Sequence, residues 1–453
     1  METVQFYCKQ CAMGGQVMQE LNNEIDNYLD NVCSYIKNKK FHEEIKLELN
    51  DHIQDLVEDY TSSGLTKEES IKKALLEMGS AQIVGIDLDN AHKANSDLIL
   101  LVFTASLIIF GLFTAYFIQS TVSIPGNIVK KSFIIVLTGI IISLGLTKID
   151  FRCIKKFSIY LYAFSIILML STRIIDPVIN GTKRFISVGP LSFDASEIGC
   201  LLLIISLAGI FDNYRWDSKK SLFKGLIISL TPPCTLYYSF TSMSSFILCL
   251  ISVASIMIFS GCKIKYIFLS YFSLALGFIY YIFSNTYRIN RILAFFNPAN
   301  DPNGTGYVYS KILTLTKSAG MIGNHNSTTL SSLPNPHTDL VVTSVIYSFG
   351  WIGAIILFSI VVAFIIRIIS IGIKIKDSYG KLLIAGICTL FSFQFLFCIL
   401  SSLSLFPALG FSMPFISYGG TGLLINILAV SLINNIYRNR NIKYNSTISQ
   451  LNL

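Results

Sequence analysis

Long apolar runs dominate the chain after its first hundred residues. Ten such runs follow one another, and about 20 apolar residues are enough to cross the hydrocarbon core of a bilayer as a helix. They predict transmembrane helices at 97–119, 131–147, 157–172, 194–212, 222–239, 242–261, 264–283, 340–367, 380–403 and 412–436. The pattern therefore predicts an all-α, polytopic membrane protein with about ten transmembrane helices.

The start of the chain follows a different pattern. Apolar positions recur there at helical spacing between many charged ones, which predicts a small soluble helical domain. Within it, Thr66 and Glu69 precede an apolar run with the spacing of a capping box at a helix start. The pattern divides the chain into an unassigned start, this soluble domain, a transmembrane domain and a short tail, at 1–20, 21–96, 97–440 and 441–453.

Charge is distributed unevenly between these parts. The chain is 52% hydrophobic and only 14% charged, and its net charge is −8 over residues 1–96 but +16 over 97–453. Loops that stay in the cytoplasm carry the excess of Lys and Arg. That excess, with an even number of spans, predicts that both termini are cytoplasmic. The long loop 284–339 is then extracellular.

The end of this long loop places a carboxylate where water meets hydrocarbon. The stretch Leu-Pro-Asn-Pro-His-Thr-Asp at 333–339 directly precedes an apolar run. A carboxylate costs roughly 2.5–3.5 kcal/mol at the centre of a membrane helix and less near its end, unless it is paired or used. Two interpretations are open. Thr338 or Asp339 caps the helix that follows, or Asp339 serves a functional site.

Other ionisable residues share the predicted outer side. Glu197 lies one turn inside the fourth predicted span, and an acid within the membrane is by default functional or paired. Lys183, Arg184 and Arg288 lie in outer segments. Such cations neutralise phosphate while a carboxylate acts as a base, so the set suits a phosphate-bearing ligand. The alternative is that these charges only solvate the loops.

Several separated blocks have a more specific pattern. They are Gly-Thr-Lys-Arg-Phe at 181–185 with Ser-Glu at 196–197, Asp-Pro-Asn-Gly-Thr-Gly-Tyr at 301–307, Ser-Ala-Gly-Met-Ile-Gly at 318–323, Leu-Pro at 333–334 with His-Thr-Asp at 337–339, Phe-Pro-Ala-Leu-Gly at 406–410 and Met-Pro-Phe-Ile-Ser-Tyr-Gly-Gly-Thr at 413–421. In this order, over about residues 97–440, they resemble the SEDS family, the RodA, FtsW and SpoVE proteins of cell shape, division and sporulation.

The resemblance implies peptidoglycan glycosyl transfer at the outer face of the membrane. Asp339 matches the family's essential residue, proposed to deprotonate the acceptor sugar hydroxyl that attacks lipid II. The implied substrate-binding residues are Lys183, Arg184, Glu197, Arg288, Tyr307, His337 and Thr338. A divalent cation, Mg²⁺ or Mn²⁺, would help the pyrophosphate to leave as a Lewis acid. The implied partners are lipid II, a class B penicillin-binding transpeptidase and the membrane; no nucleic-acid partner is expected.

The sequence also departs from the family pattern. The family's Gln-Pro-Asp-Leu-Gly-Thr reads Phe-Thr-Ser-Met-Ser-Ser at 240–245, Cys200 replaces a Lys, and Asn335 replaces a Glu. Two alternatives therefore stay open, a non-catalytic scaffold that regulates cell-wall synthases and a transporter of lipid-linked precursors. Residues 41–92 are similar to a small cytoplasmic prefix domain of some Gram-positive membrane proteins, which implies a regulatory or docking role.

Overall fold

A computed structural model defines the fold. It describes residues 23–36, 42–91, 96–122, 126–175, 185–188, 191–238, 243–283, 286–298, 301, 304, 306–324 and 330–440. The chain divides into two compact units, with the boundary between Asn95 and Ser96. The predicted start 1–20 and tail 441–453 lie outside the described residues.

The first unit is a small helical bundle. Its helices are α1 (23–34), α2 (His42–Ser62), α3 (Lys67–Met78) and α4 (Ala81–Ala91). Apolar side chains from α1, α2 and α3 form its core, among them Ile25, Ile53 and Ile71. The predicted capping box is confirmed, because the amide of Glu69 donates to Thr66 Oγ1 while the amide of Thr66 donates to the Glu69 carboxylate. This reciprocal pair stabilises the start of α3.

Helices occupy all ten predicted spans of the second unit. The helices are α5 (Leu98–Thr121), α6 (Ile128–Leu146), α7 (Phe151–Lys155), α8 (Ser158–Ile175), α9 (Ala195–Ile210), α10 (Lys219–Tyr238), α11 (Met243–Phe259), α12 (Ile264–Phe283), α13 (Thr286–Phe296), α14 (Tyr307–Ser318), α15 (Val341–Lys374), α16 (Ser378–Ser402) and α17 (Gly420–Arg438). Within the described residues, α5, α6, α15, α16 and α17 are long and apolar enough to cross a membrane by themselves. The all-α polytopic fold is thus confirmed, with one added hairpin of β1 (Phe185–Val188) and β2 (Leu191–Asp194).

Two spans differ from the prediction. The last one begins at Gly420 rather than at residue 412, because residues 410–419 form an irregular segment whose apolar side chains pack into the bundle. The eighth extends to Lys374 rather than ending at residue 367, so Arg367 lies well inside α15. This position is tolerated because the Arg367 guanidinium forms two hydrogen bonds with the carboxylate of Asp97, at 3.1 and 2.5 Å.

Phe415 anchors the irregular 410–419 segment. Its side chain is only 3% exposed and packs edge-on against Phe364 of α15 and at a tilt against Phe391 of α16. Its backbone takes a left-handed φ of +65°. The segment also approaches α5 closely, because a Cβ on Gly111 would lie 2.5 Å from the Phe415 carbonyl oxygen. Aromatic packing and a glycine contact therefore hold this segment within the bundle.

A break in α15 receives part of the long loop. Gly350 has a φ of +70°, so the helix is interrupted there. The amide of Trp351 donates to the carbonyl of Gly320 at 3.2 Å, and the amide of Asn324 donates to the carbonyl of Tyr347 at 2.7 Å. These bonds join the loop after α14 to the two sides of the break. We call this pairing the Gly350 break.

Candidate active site

A cavity of about 560 Å³ lies where α9, α15 and α17 begin. This is the end of the bundle that the charge pattern predicts to face outward. The 410–419 segment forms one side of the cavity, and the first turn of α17 lies next to it. Its described lining includes the ionisable residues Lys131, Asp194, Glu197, His337 and Asp339. Cationic and anionic groups therefore share one half-enclosed space.

Asp339 lies in the turn that leads into α15. The residue at the N-cap of this helix is Leu340, whose side chain forms no capping hydrogen bond. Neither Thr338 nor Asp339 thus occupies the N-cap position that the capping interpretation gave to one of them. The carboxylate is half-buried and faces the 410–419 segment, because a Cβ on Gly410 would lie 3.5 Å from Asp339 Oδ2.

Local hydrogen bonds fix the turn that carries Asp339. The hydroxyl of Ser344, one turn into α15, donates to the carbonyl of Pro336 at 2.8 Å. Asn335 adopts a left-handed φ of +50°, a region that Asn enters more readily than most residues. The sharp change of direction at Asn335 lets the chain enter the helix directly after the acid.

The 410–419 segment binds the backbone next to Asp339. The amide of Tyr418 donates to the carbonyl of His337 at 2.8 Å. The hydroxyl of Ser417 donates to the carbonyl of Thr338 at 2.7 Å and accepts from the amide of Met413 at the same distance. The two sequence blocks 337–339 and 413–421 are thus brought into direct contact.

Glu197 enters the same cavity from the first turn of α9. Asp194 caps this helix, since its Oδ1 accepts from the amides of Ser196 and Glu197. The amide of Asp194 donates to Thr421 Oγ1 at 3.0 Å, which joins the starts of α9 and α17. The Glu197 Oε1 atom accepts a hydrogen bond from the hydroxyl of Ser412 at 3.1 Å. Glu197 is therefore placed by contacts from both α17 and the 410–419 segment.

His337 is held as a neutral imidazole. Its ring lies 5.8 Å from the ring of Tyr418. Burial lowers the pKa of His337, and the nearby charge of Asp339 offsets only part of that shift. At neutral pH the residue beside Asp339 therefore carries no positive charge.

The structure brings together half of the predicted site residues. Asp339, Glu197, His337 and Thr338 all line the one cavity. Tyr307 has another contact, because its hydroxyl donates to the carbonyl of Ser332 at 2.7 Å and so holds the loop before the Asp339 turn. Lys183 and Arg184 lie outside the described residues, as does the side chain of Arg288 on α13. Their roles stay predictions.

Several lining residues were not predicted. Lys131, Ser412, Thr421 and Asn426 contribute to the cavity wall. Lys131 follows another lysine at the start of α6, and the sequence does not show which of the two faces inward. Ser412 lies between two of the family blocks and Thr421 ends one of them, which was the only signal for either residue. Asn426 lies on α17, and the sequence alone does not show which face of that helix lines the cavity.

The predicted divalent cation has no preformed binding group in the described part of the chain. No set of three or more His, Cys, Asp or Glu side chains converges there as a metal site needs. The described residues thus do not fit a protein-made cation cage, and the divalent cation stays a prediction.

Comparison with known proteins identifies the family. A family model described as cell cycle protein, FtsW/RodA/SpoVE, matches residues 96–442, most of the chain. The chain belongs to this family. The SEDS resemblance seen in the sequence is confirmed, and the matched region begins where the second compact unit begins. The likeness of residues 41–92 to a prefix domain stays a prediction.

Individual relatives of this SEDS protein cover the same region. A protein of Trichlorobacter lovleyi, named probable peptidoglycan glycosyltransferase FtsW, is 27% identical over 361 residues, which cover 76% of this chain and 93% of the relative. A chain from a structure on polymerization and crosslinking by a peptidoglycan synthase complex aligns with a TM-score of 0.67 at 20% identity, over 77% of this chain and 99% of that one. The crystal structure of Thermus thermophilus RodA aligns with a TM-score of 0.59 at 17% identity, over 77% and 98%.

Proposed function

We propose that this SEDS protein is a peptidoglycan glycosyltransferase that polymerises lipid II, with Asp339 as general base. The observation that carries the proposal is the convergence of Asp339 and Glu197 in one cavity, built from the sequence blocks that resemble the family. The names of its relatives support the same activity. The membrane protein would carry out this reaction at the outer face of the cell membrane, with both termini in the cytoplasm.

The proposed reaction needs one proton transfer and one displacement. The Asp339 carboxylate accepts the proton of the acceptor sugar hydroxyl. The hydroxyl oxygen then forms a bond to the anomeric carbon of the donor. The bond from that carbon to the pyrophosphate oxygen breaks, and undecaprenyl pyrophosphate leaves with the electron pair. A neutral His337 suits this role, because an imidazolium two residues away would weaken Asp339 as a base.

The charge that develops on the pyrophosphate needs compensation. Within the described lining, Lys131 supplies a cation at the edge of the cavity. The first turn of α17 adds unsatisfied amide groups and the positive end of a helix dipole. Gly419 at its N-cap presents no side chain, and a Cβ there would meet nothing within 4 Å. Cys200, which stands where the family has Lys, is buried and is not among the described lining residues.

The proposed partner is a class B penicillin-binding transpeptidase. The similar chain from a peptidoglycan synthase complex supports such an assembly for the fold. A transpeptidase would crosslink the strands that the SEDS protein polymerises.

The test is polymerisation of purified lipid II, resolved on gels, with and without a co-purified transpeptidase. We expect polymer from the wild type and at least a hundredfold less from Asp339→Asn, in the range by which a general base contributes. Asp217→Asn removes an exposed carboxylate from a connecting segment and serves as the matched control. Thermal unfolding in detergent checks that both variants are folded. Normal polymer from Asp339→Asn would contradict the assignment.

The same experiment separates the alternative functions. A scaffold that regulates other synthases, or a transporter of precursors, would make no polymer in any variant. The replacement of the family Lys by Cys200 is the observation that favours the scaffold. A folded wild type that is inactive in the presence of a transpeptidase would therefore support that alternative.

A further inference from the structure

A hydrogen-bonded chain reaches the cavity from a residue outside its described lining. Gln394 lies in the middle of α16, and only 6% of its surface is exposed. Its Nε2 atom donates to the Ser412 hydroxyl at 3.2 Å. The same hydroxyl donates to Glu197 Oε1 at 3.1 Å. Three side chains from three separate parts of the sequence thus form one line that ends on a cavity carboxylate.

The direction of this chain is determined by proton count. A serine hydroxyl has a single proton, and a carboxylate can only accept. The Ser412 hydroxyl donates its proton to the Glu197 carboxylate, so it can only accept a hydrogen bond from Gln394. The amide nitrogen of Gln394 satisfies this requirement. The buried Gln394 amide and the Glu197 carboxylate are therefore linked through Ser412.

The hydrogen-bonded line from Gln394 to Glu197 is also linked to Asp339, through the backbone of the 410–419 segment. Ser412 lies between Gly410, which packs against the Asp339 carboxylate, and Met413, whose amide binds Ser417. Ser417 in turn binds the carbonyl of Thr338. Any shift of Ser412 would therefore change the placement of both acids. Glu197 has little other room, since a Cβ on Gly422 would lie 2.7 Å from its Oε2.

We propose that Gln394 and Ser412 are positioning residues that hold the Glu197 carboxylate and set its separation from Asp339 during glycosyl transfer. This inference rests on the proposed function, because it assigns both residues to that reaction. Gln394 acts only through Ser412 and does not touch the substrate. Its removal therefore lowers kcat and leaves the KM for lipid II unchanged.

The test compares Gln394→Met, Ser412→Ala and the double variant in the lipid II polymerisation assay. Each single change is expected to lower kcat about tenfold, because each disturbs the bond from Ser412 to the Glu197 carboxylate, and a hydrogen bond to a charged group contributes about this much. The double variant is expected to be no slower than either single one, because the two residues act in series. Ser412→Thr keeps the hydroxyl and is expected to restore most of the activity. Ser392→Ala on the same helix, whose hydroxyl binds only the Cys388 backbone and thiol among the described contacts, is the matched control.

A second measurement does not depend on activity. Hydrogen–deuterium exchange of the 410–419 amides is expected to rise equally in Gln394→Met and Ser412→Ala, without a further rise in the double variant. An inactive wild type would overturn the proposed function, while exchange still decides the positioning role. Additive losses, wild-type kcat in Gln394→Met, or unchanged exchange would overturn the positioning role. A purely structural glutamine would lower only the thermal stability.

Discussion

At the scale of single residues, the cavity combines a base, a neutral imidazole and a cation. Burial lowers the pKa of His337, two residues before Asp339, and so favours its neutral form. Lys131 supplies positive charge from another wall of the same cavity. The placement of the acid and the lysine on different walls suits a reaction in which the proton and the pyrophosphate depart in different directions.

Lys131 should matter for the donor lipid, whereas its neighbour should not. Both lysines are exposed, but Lys131 lines the cavity whereas Lys130 lies outside its described lining. We expect Lys131→Ala to reduce kcat/KM for lipid II by about tenfold, the effect of losing one charge-assisted contact. Lys130→Ala should stay within about twofold of wild type, as expected for an exposed charge outside the cavity. Equal effects of the two changes in the polymerisation assay would argue against a cavity role.

His337 should make the protein sensitive to acid. Its pKa in the folded protein lies below the ordinary value of 6.5. The unfolded chain therefore binds this proton more readily, and folding stability falls as the pH drops below about 6.5. We expect the midpoint of thermal unfolding in detergent to decrease more between pH 8 and pH 5.5 in wild type than in His337→Gln. His52→Gln, at an exposed position on α2, should follow wild type.

At the scale of elements, segments of irregular backbone place the cavity acids where regular helices alone could not place them. The Asp339 turn, the 410–419 segment and the Gly350 break each depend on local chemistry rather than on hydrophobic periodicity. The Gly350 break connects α15 to the loop after α14 by backbone bonds on both sides of the interruption. The part of α15 nearest Asp339 is therefore fixed by the loop.

Gly350→Ala should disturb this arrangement. A Cβ there would lie 2.6 Å from the Gly323 nitrogen and collide with the Met321 carbonyl, at a φ of +70°. We expect a loss of about 2 kcal/mol or more in stability from strain at this backbone conformation. Gly145→Ala is the control, since a Cβ at that helical position in α6 meets nothing within 4 Å. Urea or thermal unfolding of both variants provides the measurement, and equal stabilities would contradict the expectation.

The sequence predicted the elements better than their ends. Ten apolar runs located the spans, but Phe411, Met413 and Phe415 have the composition of a span and are nevertheless irregular. Their burial against α15 and α16 determines the irregular conformation, and the local hydrophobic pattern does not reveal such long-range contacts. Asp339 and Glu197 were predictable because acids at membrane seams are rare. Gln394 was not, because a single polar residue in an apolar run does not show what it faces.

At the scale of the whole molecule, a buried ion pair ties distant parts of the second unit together. Asp97 starts α5, and its carboxylate is fully buried against Arg367 of α15. The amide of Asp97 also donates to Asn434 of α17 at 2.8 Å. Three helices far apart in sequence therefore meet at one residue, Asp97, which binds Arg367 through its carboxylate and Asn434 through its backbone amide.

Breaking this pair should cost more than removing it. Arg367→Leu leaves the Asp97 charge buried without its cation, and we expect a loss of about 3–5 kcal/mol. The double change Asp97→Asn with Arg367→Leu should recover part of that stability. Lys72→Ala removes an exposed pair with Glu68 on α3 and should cost no more than about 0.5 kcal/mol. Thermal unfolding of the three variants tests this order, which an equal loss for all three would refute.

The late start of α17 sets the depth at which the chemistry takes place. With 19 residues the helix is about 28 Å long, slightly less than a hydrocarbon core of about 30 Å. If α17 crosses the bilayer upright, we expect the segment before it, with Asp339 alongside, near the lower edge of the lipid headgroups, where little water competes for hydrogen bonds. Where water is scarce, no solvent molecule replaces a protein hydrogen bond that is lost. Glycosyl transfer would then require a hydrophilic acceptor sugar to reach the boundary between the lipid headgroups and the hydrocarbon core.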